Sequence, residues 1–170
     1  LGAEALIRWQ HPDKGLLGPA HFLPSIENHA LSIDVGKWVV RTALQQMVTW
    51  RGLGLALPVS VNMDARLLQQ PDVMDWLTAE LAQHPELPPD NLQLEVLETT
   101  ALDDMAHVST VMKQCGAIGI GFALDDFGTG YSSLTYLKQL PARELKIDQS
   151  FIRDMLDDAE DLAILQGVLG

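Results

Sequence analysis

The chain is poor in basic residues. It has 11 lysines and arginines against 23 aspartates and glutamates, which gives a net charge of −12. A protein that binds the nucleic-acid backbone non-specifically needs a basic patch or arm, and this sequence has neither, so double-stranded nucleic acid is not expected as a partner. A phosphate substrate is still compatible with the acidic composition, because bound metal ions can invert the local field.

Cysteine and long apolar runs are also scarce. Cys115 is the single cysteine and cannot form an internal disulfide, which is typical of a reducing compartment and favours a cytoplasmic location. The longest apolar run, at 116–124, is interrupted by glycines and is too short to span a bilayer. A membrane anchor would have to lie elsewhere in a longer parent protein. Paired histidine motifs, a Walker loop and a dinucleotide fingerprint are absent from the sequence.

Five apolar, β-rich runs alternate with helical patterns, and this alternation indicates a parallel sheet. The predicted strands are residues 3–9, 57–63, 92–98, 121–127 and 143–149, and the predicted helices are 34–50, 71–81, 103–116 and 157–169. Asp34 is predicted to cap the first helix, and Pro71 is placed like a first-turn proline. Trp38 and Trp76 lie on helical apolar stripes, so both are predicted to be core residues.

Two architectures fit a parallel sheet, a doubly wound open sheet and a (β/α)8 barrel. A doubly wound nucleotide binder carries a glycine fingerprint after its first strand, and none is present here. In a barrel the functional groups come from the carboxyl ends of several strands. Each predicted strand has such groups in it or near its end: Glu4 and Arg8, Asn62, Glu95 and Glu98, Asp125 and Asp126, Lys146 and Asp148. We therefore predict a TIM-type barrel, of which this chain holds about five strands.

The polar groups at the strand ends are mostly oxygen donors. Hard divalent ions such as Mg²⁺ and Mn²⁺ prefer such ligands, and two adjacent aspartates repel each other unless a cation lies nearby. Asp125 and Asp126 point to opposite faces of a regular strand, so they share a site only where the strand bends. We expect the loop with Gly128 and Gly130 to provide that bend. Singly, each group has a structural explanation, such as a solvated turn or a surface lysine; jointly, they predict a site.

The sequence resembles the EAL domain family of bacterial cyclic di-GMP phosphodiesterases. The matching motifs occur in the family's order and cover essentially the whole chain: "EALIRW" at 4–9, "VSVNM" at 59–63, "LEVLETTAL" at 94–102, "DDFGTGYSSL" at 125–134 and "LKIDQSFIRDM" at 145–155. The pair formed by "DDFGTGYSSL" and "LKID" is highly specific. Leu97 departs from the family, since many members have threonine between the two glutamates.

The resemblance implies a TIM-type barrel that hydrolyses cyclic di-GMP to linear 5′-pGpG with two Mg²⁺ or Mn²⁺ ions. Lys146 matches the lysine beside the catalytic water, and Glu98 the glutamate that holds the loop after Asp126. Arg8 and Leu6 fall at substrate-contacting positions. The residues that match metal ligands are Glu4, Asn62, Glu95, Asp125 and Asp126, of which Glu4 and Asp125 are, with Lys146, the predicted catalytic residues.

The family's first strand and the later glutamate and glutamine near its seventh and eighth strands have no match here. We therefore expect residues 1–170 to be a partial EAL domain that lacks the first strand and the last two βα units, and to be inactive alone. The parent protein is predicted to be active, to form a homodimer and to carry a sensory or GGDEF-type domain. The alternative is an inactive EAL-type module that senses cyclic di-GMP or binds a protein partner.

Overall fold

The computed structural model describes residues 2–127 and 139–148. The glycine loop after Asp126 and the predicted helix at 157–169 therefore lie outside the described residues. Within them, the strands are β1 (Ala3–Ala5), β2 (Trp9–His11), β3 (Gly15–Leu17), β4 (Val59–Asn62), β5 (Leu92–Leu97), β6 (Gly121–Phe127) and β7 (Glu144–Ile147). The helices are α1 (Leu23–Ile26), α2 (Leu31–Gly52), α3 (Ala65–Leu68), α4 (Val73–Ala82), α5 (Glu98–Asp103) and α6 (Met105–Ala117), with 3₁₀ turns at Pro19–His21 and Pro89–Asn91.

Five of the described strands form one parallel sheet in the order β1-β4-β5-β6-β7. Helices lie between the successive strands of this sheet up to β6. The strand order follows the chain without reversal, whereas a doubly wound sheet reverses at its switch point. The described sheet is therefore the wall of a TIM-type barrel, as predicted. The remaining strands, β2 and β3, form a separate antiparallel hairpin.

The core lies between the sheet and its helices, because alternate residues of each strand are apolar. Leu92, Leu94 and Val96 of β5 are at most 1% exposed and pack with apolar residues of α2, α4 and α6. Full burial of one such side chain contributes about 1.5–3 kcal/mol. The intervening positions, Gln93 and Glu95, must then face the other side of the sheet, towards the barrel interior. The apolar register thus fixes which side chains can form a site.

Some predicted boundaries were wrong. The run at 3–9 gives only a three-residue strand in the sheet, since the chain then turns away and Trp9 begins the hairpin. Helix α2 starts at Leu31, so Asp34 lies in its first turn and does not cap it, although a carboxylate there still interacts favourably with the helix dipole. Pro71 precedes α4, which begins at Val73.

The two tryptophans predicted to be core residues differ in the structure. Trp38 is 54% exposed, because the buried stripe of α2 runs through Gly36 and Val40, and position 38 lies on the opposite side of the helix. Trp76 is half-buried against the core, and its indole Nε1 donates a hydrogen bond to Glu80 Oε1 at 3.0 Å. The prediction for Trp38 was therefore wrong.

No helix in the ranges that the structure describes is long and apolar enough to cross a membrane.

Helix α2 approaches the β4–α3 connection closely at Gly36. A β-carbon added there would lie 2.9 Å from Leu67 Cδ2 and 3.3 Å from Asp64 Cβ. Leu67 is fully buried, so it has little room to move away. The missing side chain of Gly36 thus allows α2 to pack against the segment that directly follows Asn62.

We expect Gly36→Ala to destabilise the protein, because overpacking costs about 1–3 kcal/mol while the better helix propensity of alanine offsets about 1 kcal/mol. The net loss in the free energy of unfolding should be about 1 kcal/mol by urea denaturation. Gly52→Ala is the matched control: position 52 also lies in α2, and an added β-carbon there meets no atom within 4 Å. The control should be neutral or stabilising. Equal effects of the two substitutions would contradict the close-packing explanation.

Candidate active site

Five of the predicted site residues point to the same face of the sheet. In a parallel sheet, residues in register on adjacent strands share a face, as do residues two apart on one strand. Asn62 is in register with Glu95, and Glu95 with Ala123, two positions before Asp125. By the same pairings, Glu4 of β1 and Lys146 of β7 also share this face. The register therefore brings side chains from five separate strands to the barrel interior.

Lys146 lies at the centre of this group. Its ammonium nitrogen is 2.5 Å from Glu95 Oε1 and 3.5 Å from Glu4 Oε2. Asn62 Nδ2 donates a hydrogen bond to Glu4 Oε1 at 3.1 Å. Burial by itself lowers the pKa of Lys146, but the contact with Glu95 and the negative charges of Glu95, Glu4 and Asp125 outweigh it, so the pKa is raised. Lys146 is therefore held in its charged form.

Glu95 is the most enclosed member of the group. Its side chain is 0% exposed, whereas those of Glu4 and Lys146 are 38% and 28% exposed. Neither oxygen of Glu95 accepts a hydrogen bond of suitable geometry from the described residues, although Lys146 lies within ion-pair distance. A carboxylate this deeply buried is costly unless its charge is compensated. The ammonium group of Lys146 supplies that compensation.

The strand bends at Asp126; the loop with Gly128 and Gly130, where the bend was expected, lies outside the described residues. Asp126 has a φ of 53°, in the left-handed region that residues other than glycine seldom adopt. The pairing of β6 with β7 is irregular between Leu124 and Phe127, which spans the same position. The Asp126 N–H donates to Asp125 Oδ1 at 3.1 Å. The bend changes the direction of Asp126 relative to a regular strand, so the two adjacent aspartates need not face opposite sides.

Asp126 also faces Asp148, which follows β7. Desolvation raises the pKa of Asp126, and the charges of Asp125 and Asp148 and a hydrogen bond with Asp148 raise it further, while Lys146 opposes them. The predicted crowding of negative charge at the end of β6 is thus present, and it includes a third carboxylate from the next strand.

The other predicted residues lie around this centre. Glu98 is the first residue of α5 and is fully buried. The loop that it is predicted to hold is outside the described residues, so that role stays a prediction. Arg8 is exposed, and its Nη1 donates to the Ile7 carbonyl oxygen at 2.8 Å; the structure does not bring it against the carboxylates. Leu6 is 51% exposed at the rim of the site.

A cleft of about 480 Å³ adjoins the carboxylates. Its walls come from the segment after β1, from α1, from the first turns of α2 and from the β4–α3 connection, and both Asn62 and Glu95 line it. Leu6 and Leu97 contribute apolar surface. Leu97 is 45% exposed and in register with Asp125. The cleft offers an apolar surface beside a charged centre.

Sequence reasoning missed Asp64, which holds the cleft wall in place. Its side chain caps α3 by accepting hydrogen bonds from the N–H groups of Arg66 and Leu67, both at 3.0 Å. It also accepts a bond from the hydroxyl of Ser32 in α2 at 3.3 Å. An aspartate before the helical "ARLL" is an N-cap signal that could have revealed the first role. The second depends on a partner 32 residues away and has no sequence signal.

The donor set fits a hard divalent ion. Carboxylate and amide oxygens are the ligands that Mg²⁺ and Mn²⁺ prefer, and among the described residues the buried carboxylate of Glu95 has only the Lys146 ammonium as an ionic partner. Within residues 2–127 and 139–148, however, no three carboxylate, histidine or cysteine side chains stand close enough to hold an ion as they are placed. Lys146 lies between Glu4 and Glu95 in this arrangement.

Carboxylates and a lysine at the strand ends of a parallel barrel place the protein among barrels with an acidic site. The comparison with known proteins identifies the family. The family model described as EAL domain matches residues 1–170. The chain belongs to the EAL domain family, which confirms the predicted resemblance.

The chain is similar to two proteins of Pseudomonas aeruginosa that are named for activity on cyclic di-GMP. It is 42% identical over 170 residues to the bifunctional diguanylate cyclase/cyclic di-GMP phosphodiesterase MucR. The match covers 99% of this chain and 25% of MucR. It is 36% identical over 169 residues to a cyclic di-GMP phosphodiesterase, covering 99% of this chain and 29% of that protein. The chain therefore spans between a quarter and a third of the length of these relatives.

Solved structures support the same family. The MucR phosphodiesterase in complex with c-di-GMP superposes with a TM-score of 0.86 and 43% identity, over 96% of this chain and 66% of that one. The FimX EAL domain from Pseudomonas aeruginosa bound to c-di-GMP has a TM-score of 0.85 and 25% identity, over 98% of this chain and 66% of that one. Both are EAL-type barrels whose structures contain the same ligand.

The positive φ of Asp126 predicts how substitutions there affect stability. An alanine in the left-handed region is disfavoured by about 1–2 kcal/mol, whereas glycine adopts it freely. We expect Asp126→Gly to unfold at higher urea concentration than Asp126→Ala. At Thr78, on the exposed face of α4, the order should reverse, with alanine more stable than glycine by about 1 kcal/mol. The same order at both positions would show that Asp126 is not held in this conformation.

Proposed function

We propose that the protein carrying this chain hydrolyses cyclic di-GMP to linear 5′-pGpG by a two-metal phosphodiesterase mechanism. The observation that carries the proposal is the buried Glu95, grouped with Glu4, Asn62 and Lys146 at the carboxyl ends of the strands. The names of the relatives and the ligand in the solved structure of MucR support the choice of substrate. A linear product with a 5′-phosphate requires that water attack phosphorus and that the bond to a 3′ oxygen break.

The residues that would hold two ions of Mg²⁺ or Mn²⁺ are the oxygen donors of the site, namely Glu4, Asn62, Glu95, Asp125 and Asp126. Such ions, when bound, polarise the phosphate and lower the pKa of water. Glu95 is suited to the deepest position, since its side chain is fully enclosed and is fixed between β4 and β6. Asp125 and Asp126 contribute neighbouring carboxylates from the bent end of β6.

The chain's own residues then act on substrate and water. Lys146 is charged and close to Glu4 and Glu95, so it can orient the attacking water and stabilise negative charge that develops on the phosphate. Leu6 offers apolar contact to the substrate from the rim of the cleft. Arg8 is exposed near the same rim, where a guanidinium can reach a phosphate of a bound ligand.

We also propose that the parent protein is a cytoplasmic homodimer that carries a further sensory or GGDEF-type domain. MucR is named for both a cyclase and a phosphodiesterase activity, and this chain covers 25% of it, which supports a parent with more than one domain.

The proposal is tested by the substitution Asp125→Asn in the full protein that carries this chain. Loss of one carboxylate charge from the pair weakens ion binding, so Mn²⁺-dependent turnover of cyclic di-GMP should fall by about 10–100-fold or more, since substitutions next to metal ligands already cost about 10–100-fold. The fold should persist, since Asn is isosteric with Asp. Turnover is measured by chromatography of 5′-pGpG, and folding by circular dichroism. Asp75→Asn, on the exposed face of α4, is the matched control and should retain full activity.

Near-normal turnover of the Asp125→Asn protein would contradict the two-metal assignment. A wild-type protein that binds cyclic di-GMP but yields no linear product would instead support the alternative function, a ligand-sensing module without catalysis.

A second experiment separates Glu98 from the metal ligands. Glu98 is the first residue of α5, one position beyond the end of β5, and is fully buried. We expect Glu98→Gln to lower turnover while leaving Mn²⁺ affinity within about twofold of the wild type by calorimetry, which corresponds to less than about 0.5 kcal/mol. Glu95→Gln should lose both. Equal loss of Mn²⁺ binding in the two proteins would overturn this division of roles.

A further inference from the structure

Lys146 occupies the space in which a cation would neutralise Glu95. The ammonium lies 2.5 Å from one carboxylate and 3.5 Å from another, on the same face of the sheet. We propose that Lys146 is an exchangeable internal cation: it compensates Glu95 in the metal-free protein and leaves that carboxylate when metal ions bind. This inference rests on the metal centre of the proposed function, and it goes beyond it by stating what the ions must displace.

The carboxylate of Glu95 is buried and needs a compensating positive charge. Its side chain is 0% exposed and its oxygens receive no hydrogen bond of suitable geometry from the described residues. A charge in this environment is costly unless a counter-ion lies beside it. In the described ranges, Lys146 is the basic side chain that forms ion pairs with Glu95 and Glu4. Among the described residues, Lys146 is therefore the counter-ion of Glu95.

Of the two partners in this ion pair, Lys146 is the one that can move. Glu95 lies in β5, between β4 and β6, and its backbone is fixed by pairing on both sides. Lys146 is 28% exposed and has a flexible four-carbon chain, so its ammonium can swing towards solvent or a bound phosphate without any change in the sheet. When an ion takes the lone pairs of Glu95, like charge and limited space require the ammonium to withdraw. Lys146 is thus the mobile partner.

Displacement of Lys146 from Glu95 affects both the affinity for the metal ion and the stability of the protein. A metal ion that binds Glu95 must break the ion pair with Lys146, so the stabilisation from that pair is subtracted from the affinity for the ion. Removing the ammonium destabilises the metal-free protein, because a buried carboxylate loses its counter-ion. The same change should tighten the binding of metal, since nothing remains to be displaced. A lysine that only assists ion binding or water orientation would not give this combination.

The test uses Lys146→Met and Mn²⁺ alone, without substrate, with affinity measured by calorimetry on the protein. We expect Lys146→Met to bind Mn²⁺ at least about tenfold more tightly than the wild type, which is about 1.4 kcal/mol. Lys146→Arg keeps a cation and should stay within about threefold of the wild type. Arg143→Met is the matched control: it removes a positive charge just before the same strand, at its far end, and should leave Mn²⁺ affinity unchanged. In thermal unfolding, Lys146→Met should melt lower than Arg143→Met without metal and gain more from added Mn²⁺.

A second measurement uses only the wild-type protein, so its result does not depend on whether a variant folds. Lys146 should react faster with an amine-labelling reagent when Mn²⁺ is present, relative to Lys37 and Lys113 as internal references, as followed by peptide mass spectrometry. Unchanged labelling of Lys146, or Mn²⁺ affinity of Lys146→Met no tighter than that of the wild type, would overturn the inference while leaving the metal centre in place. Absence of Mn²⁺ binding in both proteins would overturn the metal centre itself, and the exchange with it.

Discussion

The structure of the site depends on a buried carboxylate at the centre of a parallel sheet. Glu95 has its neighbours in the sequence, Leu94 and Val96, in the apolar core, so its side chain cannot leave the barrel interior without moving the core with it. Its charge is then the fixed point around which the other groups lie. Lys146 comes from a strand two positions away in the sheet, and Glu4 from a strand two positions away on the other side.

This arrangement also explains why five separate strands contribute to one centre. Each strand supplies few interior positions near its carboxyl end, and the in-register pairing of parallel strands places those positions side by side. The segments between strands then serve mainly to fix the ends. The cap made by Asp64 and the close approach at Gly36 fix the segment after Asn62, and the left-handed backbone of Asp126 sets the end of β6.

The sequence predicted the sheet and its interior residues well, because the alternation of strands with helices and the alternation of apolar residues within strands determine both. The limits of β6 and the shared face of Asn62 and Glu95 follow directly from that pattern. The exposure of Trp38 could not be predicted, since a stripe of apolar residues along α2 does not say which of its edges is covered. The left-handed backbone of Asp126 could not be predicted either, since residues other than glycine seldom adopt it and it coincides with an irregularity in the tertiary pairing with β7.

The contact between α2 and the β4–α3 connection has a mechanical consequence. Helix α2 has 22 residues and is therefore about 33 Å long, and it is held at its amino-terminal end by Ser32 on Asp64 and by Gly36 on Leu67. Val40, Ala43, Leu44 and Met47 of the same helix are buried in the core, so α2 is attached to the domain along most of its length. Because Asp64 lies two residues after Asn62, the position of this helix also sets the position of the amide that bonds Glu4.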